Sequence, residues 1–370
     1  MRARILSSLQ SHSKLAIILI VFGLLAALYS IATPIFEAGD EIWHYPFVQH
    51  LATGHSLPVQ DPNVPTLWAQ EGGQPPLYYA LGALATFWID THDLPERLWL
   101  NPHAKIGIPL AFGNKNMVVH TSAENFPWQG TTLAVHLIRF LSLLLSAITV
   151  ALTYLFALEI QPAKTFAALA AAIVAFNPMF IFISASVNND NLATMLATLS
   201  LLLMTRLITR GATLRRFIVL GFGLGLGALS KISNLGLLAV AAVVFGYLLW
   251  KEWDVEQRGH LRNEINQSRW SAVLRVLKGS LTCAVIVILI AFWWYARNWI
   301  LYGDPLAFNV WVQIAGGRPT PVTFASLLNE FQGFRISFWG NFGAVNLIAP
   351  DWVYVLLDAC TVISVVALLV

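Results

Sequence analysis

Apolar residues in this chain fall in long unbroken runs, without the short alternation of a strand that shows one face to water. The first run is Leu15 to Ala32. Further runs cover roughly 135–158, 166–187, 191–209, 217–231, 234–250, 279–299 and 351–370. Each is near the ~20 residues an α-helix needs to cross a hydrocarbon core of about 30 Å. Ten-residue stretches of alternating polarity, the mark of an outer-membrane barrel, do not occur. The pattern predicts an all-α polytopic membrane protein with about eight transmembrane helices. It forms a single membrane domain over 1–370. One further run, 75–89, is shorter and opens with Pro75-Pro76.

Composition sharpens this picture. Hydrophobic residues make up 57% of the 370 residues and charged residues 11%, against about 25% charged in a soluble domain. A water-soluble fold is excluded, and so is disorder, which needs low hydrophobicity and high charge. The formal net charge is +3. The basic residues sit between apolar runs, so they read as topology signals and give no case for nucleic acid. Cys283 and Cys360 both lie inside apolar runs, which argues against a disulfide framework or a thiolate metal site. The string Gly221-Phe-Gly223-Leu-Gly225-Leu-Gly227 has no preceding strand and lies within an apolar run. It reads as close helix packing through small residues and not as a nucleotide loop.

Charge also orients the chain. Arg2, Arg4 and Lys14 precede the first run, and no cleavage site is evident after it, so the N-terminus is expected in the cytoplasm. If 75–89 does not cross, the basic linkers Arg206–Arg216 and Lys251–Lys278 both fall inside, as the positive-inside tendency asks. If it crosses once, Arg206–Arg216 is pushed outside. The expected layout therefore places two long loops on the outer face: 34–134, carrying interfacial helices, and 300–350. Most of the tryptophans lie there, as an interfacial belt or as stacking surfaces for sugar rings. The chain stops within an apolar run, which is read as a membrane domain cut short.

Four groups of residues are candidates for chemistry. Glu37, Asp40, Glu41 and His44 collect just past the first run. Asp40 and His44 are four apart and share a helical face. A carboxylate beside another acid in a partly dry setting has a raised pKa and suits a general base. The alternative is a solvated loop with a helix N-cap at Asp40. Gln74-Pro75-Pro76-Leu77-Tyr78-Tyr79 reads as an extended entry and helix start, with Gln74 and Tyr78 as substrate contacts or as a structural elbow. Asn189 and Asp190 end a polar turn and are sugar-hydroxyl or metal ligands, or simply the turn. Arg139, Lys231 and Arg297 are cations in or at the rim of apolar runs, where each marks a partner or polar cavity unless it snorkels. A lipid-linked phosphate needs such cations.

Taken in order, these features form a series. A first helix is followed by Asp40-Glu41, then Pro75-Pro76-Leu77-Tyr78-Tyr79, then Arg139-Phe-Leu-Ser142. Phe176-Asn177-Pro178 and Asn189-Asp190 come next, then a glycine-rich run ending in Ser230-Lys231. Trp294-Tyr-Ala-Arg297-Asn298-Trp-Ile-Leu-Tyr302-Gly303-Asp304-Pro305 closes it. The series resembles the polyprenyl-phosphate-dependent glycosyltransferases of the GT-C type, over nearly the whole chain. That group includes the protein O-mannosyltransferases, the lipid A aminoarabinose transferase and the lipopolysaccharide-core transferases of Rhizobium. The resemblance implies a hexosyl- or pentosyltransferase of the cell envelope with a polyprenyl-phosphate sugar donor. Its site would lie on the outer face of the plasma membrane. The acceptor would be a lipid, glycan or protein. Asp40 would be the catalytic base with Glu41 and His44 beside it, and Lys231, Arg297 and Arg139 would hold the donor phosphate. Oxygen ligands such as Asp40 and Asp190 would suit magnesium or manganese. Two departures stand out: Gln74 occupies a place where protein mannosyltransferases often carry His, and the Lys found near that place in the aminoarabinose transferase is missing. A secondary transporter or a non-catalytic scaffold is the rival reading. Transporters, however, gather charges at the midplane of two related halves, and no repeat is visible here.

Overall fold

The computed structural model describes residues 12–108, 111, 113, 115–254, 264–318 and 320–369. Arg2, Arg4, Arg258 and Arg262, which entered the charge reading, lie outside the described residues, as does the side chain of Arg269. The protein is mostly helical. Helix α1 (Ser13–Ala32) is followed by α2 (Glu41–Ala52), α3 (Leu77–Thr86), α4 (Gly130–Ile160), α5 (Lys164–Ala175) and α6 (Pro178–Ser184). Then come α7 (Asp190–Thr209), α8 (Leu214–Ala228), α9 (Gly236–Asp254) and α10 (Glu264–Tyr302). Helices α11 (Phe308–Ala315), α12 (Phe324–Gly340) and α13 (Asp351–Leu369) close the chain. A two-residue ladder pairs β1 (Asn341–Phe342) with β2 (Leu347–Ile348).

Five helices are long and apolar enough to cross a membrane, or six if α5 and α6 form one broken span. This is a multi-pass helical membrane protein. By that criterion the expected count of eight is not reached among the described residues. The run at 217–231 yields only the 15 residues of α8, about 22 Å of helix against a core of about 30 Å. The run at 166–187 is not one helix either. It bends by 66° between α5 and α6. Pro178 cannot donate into a continuing ladder, and the Asn177 side chain accepts from the Met179 and Phe180 amides to start α6 afresh.

Helix α3 is too short to cross. Its ten residues extend about 15 Å, half of what a crossing needs. The Leu77 amide that opens it donates to Leu229 O at 3.0 Å, so α3 begins where α8 ends. Between α3 and α4 the described residues contain no helix longer than the single turn Leu94–Arg97. Among the described residues of 91–134 there is thus no second crossing.

The molecule thus has two distinct ends. At one, Lys14 donates to Thr165, and Glu159 receives Arg206 at 3.2 Å and Arg210 at 2.5 Å. At the other, the two long loops meet. Gly39 N donates to Gly343 O and Gly107 N to Ala344 O, both at 2.9 Å, and the Asn346 amide reaches Lys115 O at 3.1 Å. The buried Glu37 carboxylate accepts from Met117 N at 2.7 Å and from His120 at 3.0 Å, clamping the far part of the first loop to the exit of α1. The length of α7, 20 residues and about 30 Å, separates the two ends.

The glycine string packs helices, as its composition suggests. A Cβ on Gly221 would lie 3.0 Å from Cys283 O, and one on Gly225 would lie 3.0 Å from Ile290 Cβ, both on α10. Gly223 meets Ser200 of α7 in the same way. Helix α8 is therefore gripped on two sides, and its C-terminal end is fixed where Ser230 and Lys231 follow.

Candidate active site

The site begins with the turn that leaves α1. Phe36 (φ 67) and Gly39 (φ 55) both adopt left-handed backbone. Phe36 is held there by donating its N–H to Glu41 Oε1 at 3.3 Å. This turn delivers Asp40 to the start of α2 as its N-cap residue, although its side chain makes no capping bond. The chain therefore splits two consecutive acids. Asp40 is exposed toward the space between the loops, and Glu41 is fully buried.

Glu41 is one half of a buried polar knot. Arg139 of α4 donates Nε to both Glu41 oxygens at 3.1 and 3.0 Å, and its NH2 group lies 2.9 Å from Oε1. The rest of the guanidinium caps α1: NH1 donates to Ser30 O and Thr33 O at 2.7 Å, and NH2 donates to Pro34 O at 2.9 Å. These carbonyls are among the orphan acceptors at a helix C-terminus. All five Arg donors are used. Glu41 Oε2 also accepts from Val187 N at 3.1 Å. Two expectations are corrected here. Arg139, with no exposure and no free donor, is not placed to hold a donor phosphate. Glu41 is not placed to touch a substrate.

Tyr78 is corrected for the same reason. Its hydroxyl is buried, 2.7 Å from Ser142 Oγ, and accepts from Asn188 N at 3.0 Å. Asn191 adds bonds to Ile183 O and Asn188 O at 3.0 Å and accepts from Ser146 at 2.8 Å. Together Glu41, Tyr78 and Asn191 fasten the Ser186–Asn191 corner. That corner presents Asp190 to the site. Asn189 is buried beneath it, with its Nδ2 3.4 Å from Ser230 O. Its Oδ1 finds no partner among the described residues.

Four of the expected residues do converge. Lys231 Nζ lies 2.6 Å from Asp190 Oδ1. Asp40 feels both charges: burial in the concave site raises its pKa above the ordinary aspartate value, Lys231 pulls it back, and Asp190 pushes it up. His44, one turn along α2, is buried. Its Nδ1 is 2.8 Å from Tyr79 OH. Burial, with Lys231 nearby, drives its pKa down to about 3, so the imidazole is neutral and backs the site without carrying charge.

Glu71 is the residue the sequence did not single out. It sits in the 3-10 turn Ala69–Gly73, inside the stretch Gln-Glu-Gly-Gly. Its carboxyl is buried, accepts from Gln70 at 3.1 Å and lies 3.7 Å from His44 Nδ1. Burial pushes its pKa up to about 7, helped by Asp40 and opposed by Lys231. A signal existed in the sequence: an acid beside two glycines, five residues ahead of Pro76. Gln74 follows, lining a cavity of about 190 Å³ with Gly73, Ile232, Ala307, Phe308 and Trp311. Its Oε1 is buried and unpartnered among the described residues. Arg297 is set apart by its commitments. It donates to Leu57 O at 3.2 Å and Pro58 O at 2.6 Å and stacks over Trp294 at 5.0 Å, so it pins the first loop to the end of α10.

A divalent cation on Asp40 and Asp190, which the sequence left open, does not fit these residues. Among the described residues no group of three His, Cys, Asp or Glu side chains comes together to hold a metal. The Lys231 ammonium already sits on Asp190, and a divalent cation there would meet its charge.

Residues 134–295 match the family model for dolichyl-phosphate-mannose-protein mannosyltransferases. The GT-C resemblance read from the order of motifs is thereby carried by an independent comparison. The match takes in Arg139, Asp190 and Lys231 and covers less than half of the 370-residue chain. Asp40 and Glu71 lie outside it. No curated protein sequence matches. Among solved structures, the chain is similar to the Saccharomyces cerevisiae protein O-mannosyltransferase Pmt1-Pmt2 complex bound to the sugar donor. The identity is 16% and the TM-score 0.46, over 79% of this chain and 34% of that one. The chain spans about a third of the length of that relative.

Proposed function

We propose that this protein is a membrane glycosyltransferase that moves a sugar from a polyprenyl-phosphate donor to an acceptor hydroxyl or amine. The acceptor is a lipid, glycan or protein. The site faces away from the cytoplasm, because the opposite end carries the basic linkers. The plasma membrane fits a cell-envelope role. One observation carries the reading. Asp40, Asp190 and Lys231 come from three distant stretches and converge at one end of the helices, on a chain whose middle matches a lipid-donor transferase family.

The residues divide the work by charge and exposure. Asp40, exposed at the start of α2, takes the proton of the acceptor as its oxygen or nitrogen attacks the anomeric carbon, with inversion. The bond to the carrier phosphate breaks on the opposite side. Lys231, held by Asp190, meets the charge that develops on the leaving phosphate. Arg297 adds positive potential while its loop contacts fix the rim. The charges of the site itself gather at one end of the helices, and no repeat is visible in the sequence, which favours this over a transporter.

The test is sugar release and transfer from a labelled polyprenyl-phosphate donor by purified protein in lipid vesicles. Transfer by the wild type, abolished in Asp40→Asn, supports the reading. Movement of the sugar or donor across the vesicle membrane with no transfer would return the transporter reading.

A further inference from the structure

Three carboxyl groups face the site: Asp190 holds Lys231, Asp40 serves as the base, and Glu71 has no role so far. Asp40 is exposed at the start of α2. Glu71 is buried in its turn, with Gln70 as the donor described to its carboxyl. Helix α11 also packs against that turn but carries no titratable side chain; the charged and titratable groups around Glu71 come from the other elements. Asp40 and His44 face it from α2, Tyr79 from α3, Asp190 from the Asn-rich corner, and Lys231 from the end of α8. His44 is neutral, so it supplies no countercharge. Two of the remaining neighbours are acids and one is a cation. A carboxyl in that setting keeps its proton, because burial and like charge both disfavour the ionised form. Its Oε2 edge, toward His44 at 3.7 Å, is too far for a hydrogen bond, so the acid is not tied up by the protein.

We infer that Glu71 is the general acid of the reaction, giving its proton to the leaving carrier phosphate while Asp40 takes one from the acceptor. The inference rests on the transferase reading above. The protons balance. The acceptor's proton goes to Asp40. The bond between the anomeric carbon and the phosphate oxygen breaks, and its electron pair stays on that oxygen. The Glu71 proton then neutralises one charge of the departing phosphate monoester. The transfer of Asp40's proton to the neighbouring Glu71 restores both groups for the next turnover. Burial pushes both carboxyls up. Glu71, in its closed turn, is the one left to hold a proton, while Asp40 at the surface takes and releases one. Two carboxyls in different surroundings are the usual way to obtain an acid and a base in one site. A phosphate monoester has its second pKa near about 6, so an acid poised near neutrality is matched to it.

The experiment is a pH–rate series on reconstituted wild type, Glu71→Gln and Glu71→Asp with the polyprenyl-phosphate sugar donor. Wild type is expected to lose rate above a pH of about 7 as Glu71 ionises. Glu71→Gln should lower kcat about a hundredfold or more, leave the donor KM close to wild type, and lack that alkaline limb. Glu71→Asp should keep the limb with reduced kcat, and it carries the test if the amide variant does not fold. Retention of the limb or of more than half the rate in Glu71→Gln overturns the inference, as does a full-rate Glu71→Asp. Absence of transfer by the wild type is a different failure, that of the transferase reading itself.

Discussion

Asp40 and Glu41 are consecutive acids in the same turn, yet they belong to two regions with opposite physics. Glu41 enters a dry knot in which every oxygen and every Arg139 donor has a partner. Asp40 enters an open cleft where the partners are loose, one cation serves several acids, and the carboxyl is free to change its protonation state. The knot ties α1, α2, α4 and the Ser186–Asn191 corner together, and so fixes where the cleft's residues stand. A fully satisfied polar network gives rigidity. An incompletely satisfied one beside it gives chemistry.

The largest effect that can break this comparison lies in the knot. Arg139→Ala leaves Glu41 buried and unpaired and strips three carbonyls at the end of α1. Loss of one partner of a buried pair costs about 3–5 kcal/mol. The expected outcome is a large fall in detergent-solubilised thermal stability and yield, whatever the substrate. Arg139→Met combined with Glu41→Leu should recover part of it, since an apolar replacement removes both stranded charges. A stable single Ala variant would show that the knot does not hold the corner.

Next in size is the cleft's cation. Lys231→Ala should weaken donor binding by about ten- to a hundredfold, the worth of a charge-assisted contact of about 1.5–3 kcal/mol, with unfolding temperature near wild type because Lys231 is partly exposed. Isothermal titration with the donor checks this. Equal affinity in wild type and variant would return Lys231 to a partner of Asp190 alone. Arg297→Ala is expected to be milder for the donor, since much of its guanidinium is spent on Leu57 and Pro58. Its signature is faster proteolysis of the 57–68 segment.

A smaller effect separates the two regions by packing alone. Gly225→Ala places a methyl 3.0 Å from Ile290, and overpacking costs about 1–3 kcal/mol. Stability should drop while kcat of the surviving protein stays near wild type. A lowered kcat at normal stability would mean that α8 transmits position to Lys231 more tightly than supposed.

The helical plan was legible in the sequence because apolar run length is itself the physical requirement for crossing a bilayer. Helix α3 was legible as non-spanning from its brevity and the charge balance it implied. The break at Asn177-Pro178 was visible as residues but was passed over, because hydropathy does not register a lost backbone donor. Asp40 was identifiable within an acidic cluster just past the first run, and Lys231 as a lone cation between two apolar runs. What decides between Asp40 and Glu41 was not legible, since it depends on Arg139 nearly a hundred residues away and on Val187 beyond it. The same holds for Tyr78, whose partners Ser142 and Asn188 are remote. Glu71 carries only a faint local mark, an acid beside two glycines. Its character comes from Asp40, His44 and Lys231 arriving from elsewhere.

The pH dependence of wild-type transfer sharpens the same contrast. Burial raises Asp40 above the ordinary aspartate value, and a base must be ionised to act. Activity should therefore be lost as pH falls through that raised value, higher than an unperturbed Asp would give. In Asp40→Glu the acidic limb should persist at reduced rate.

The most direct measurement compares the two neighbours in one preparation. Asp40→Asn and Glu41→Gln are purified in parallel, and their unfolding temperatures and transfer rates are recorded against wild type. Asp40→Asn is expected to unfold near the wild-type temperature and to lose about 10²–10⁴ in rate. Glu41→Gln is expected to unfold at a clearly lower temperature, with its rate loss tracking the folded fraction. An active Asp40→Asn that keeps more than about a tenth of the rate, or a stable and inactive Glu41→Gln, would contradict the account.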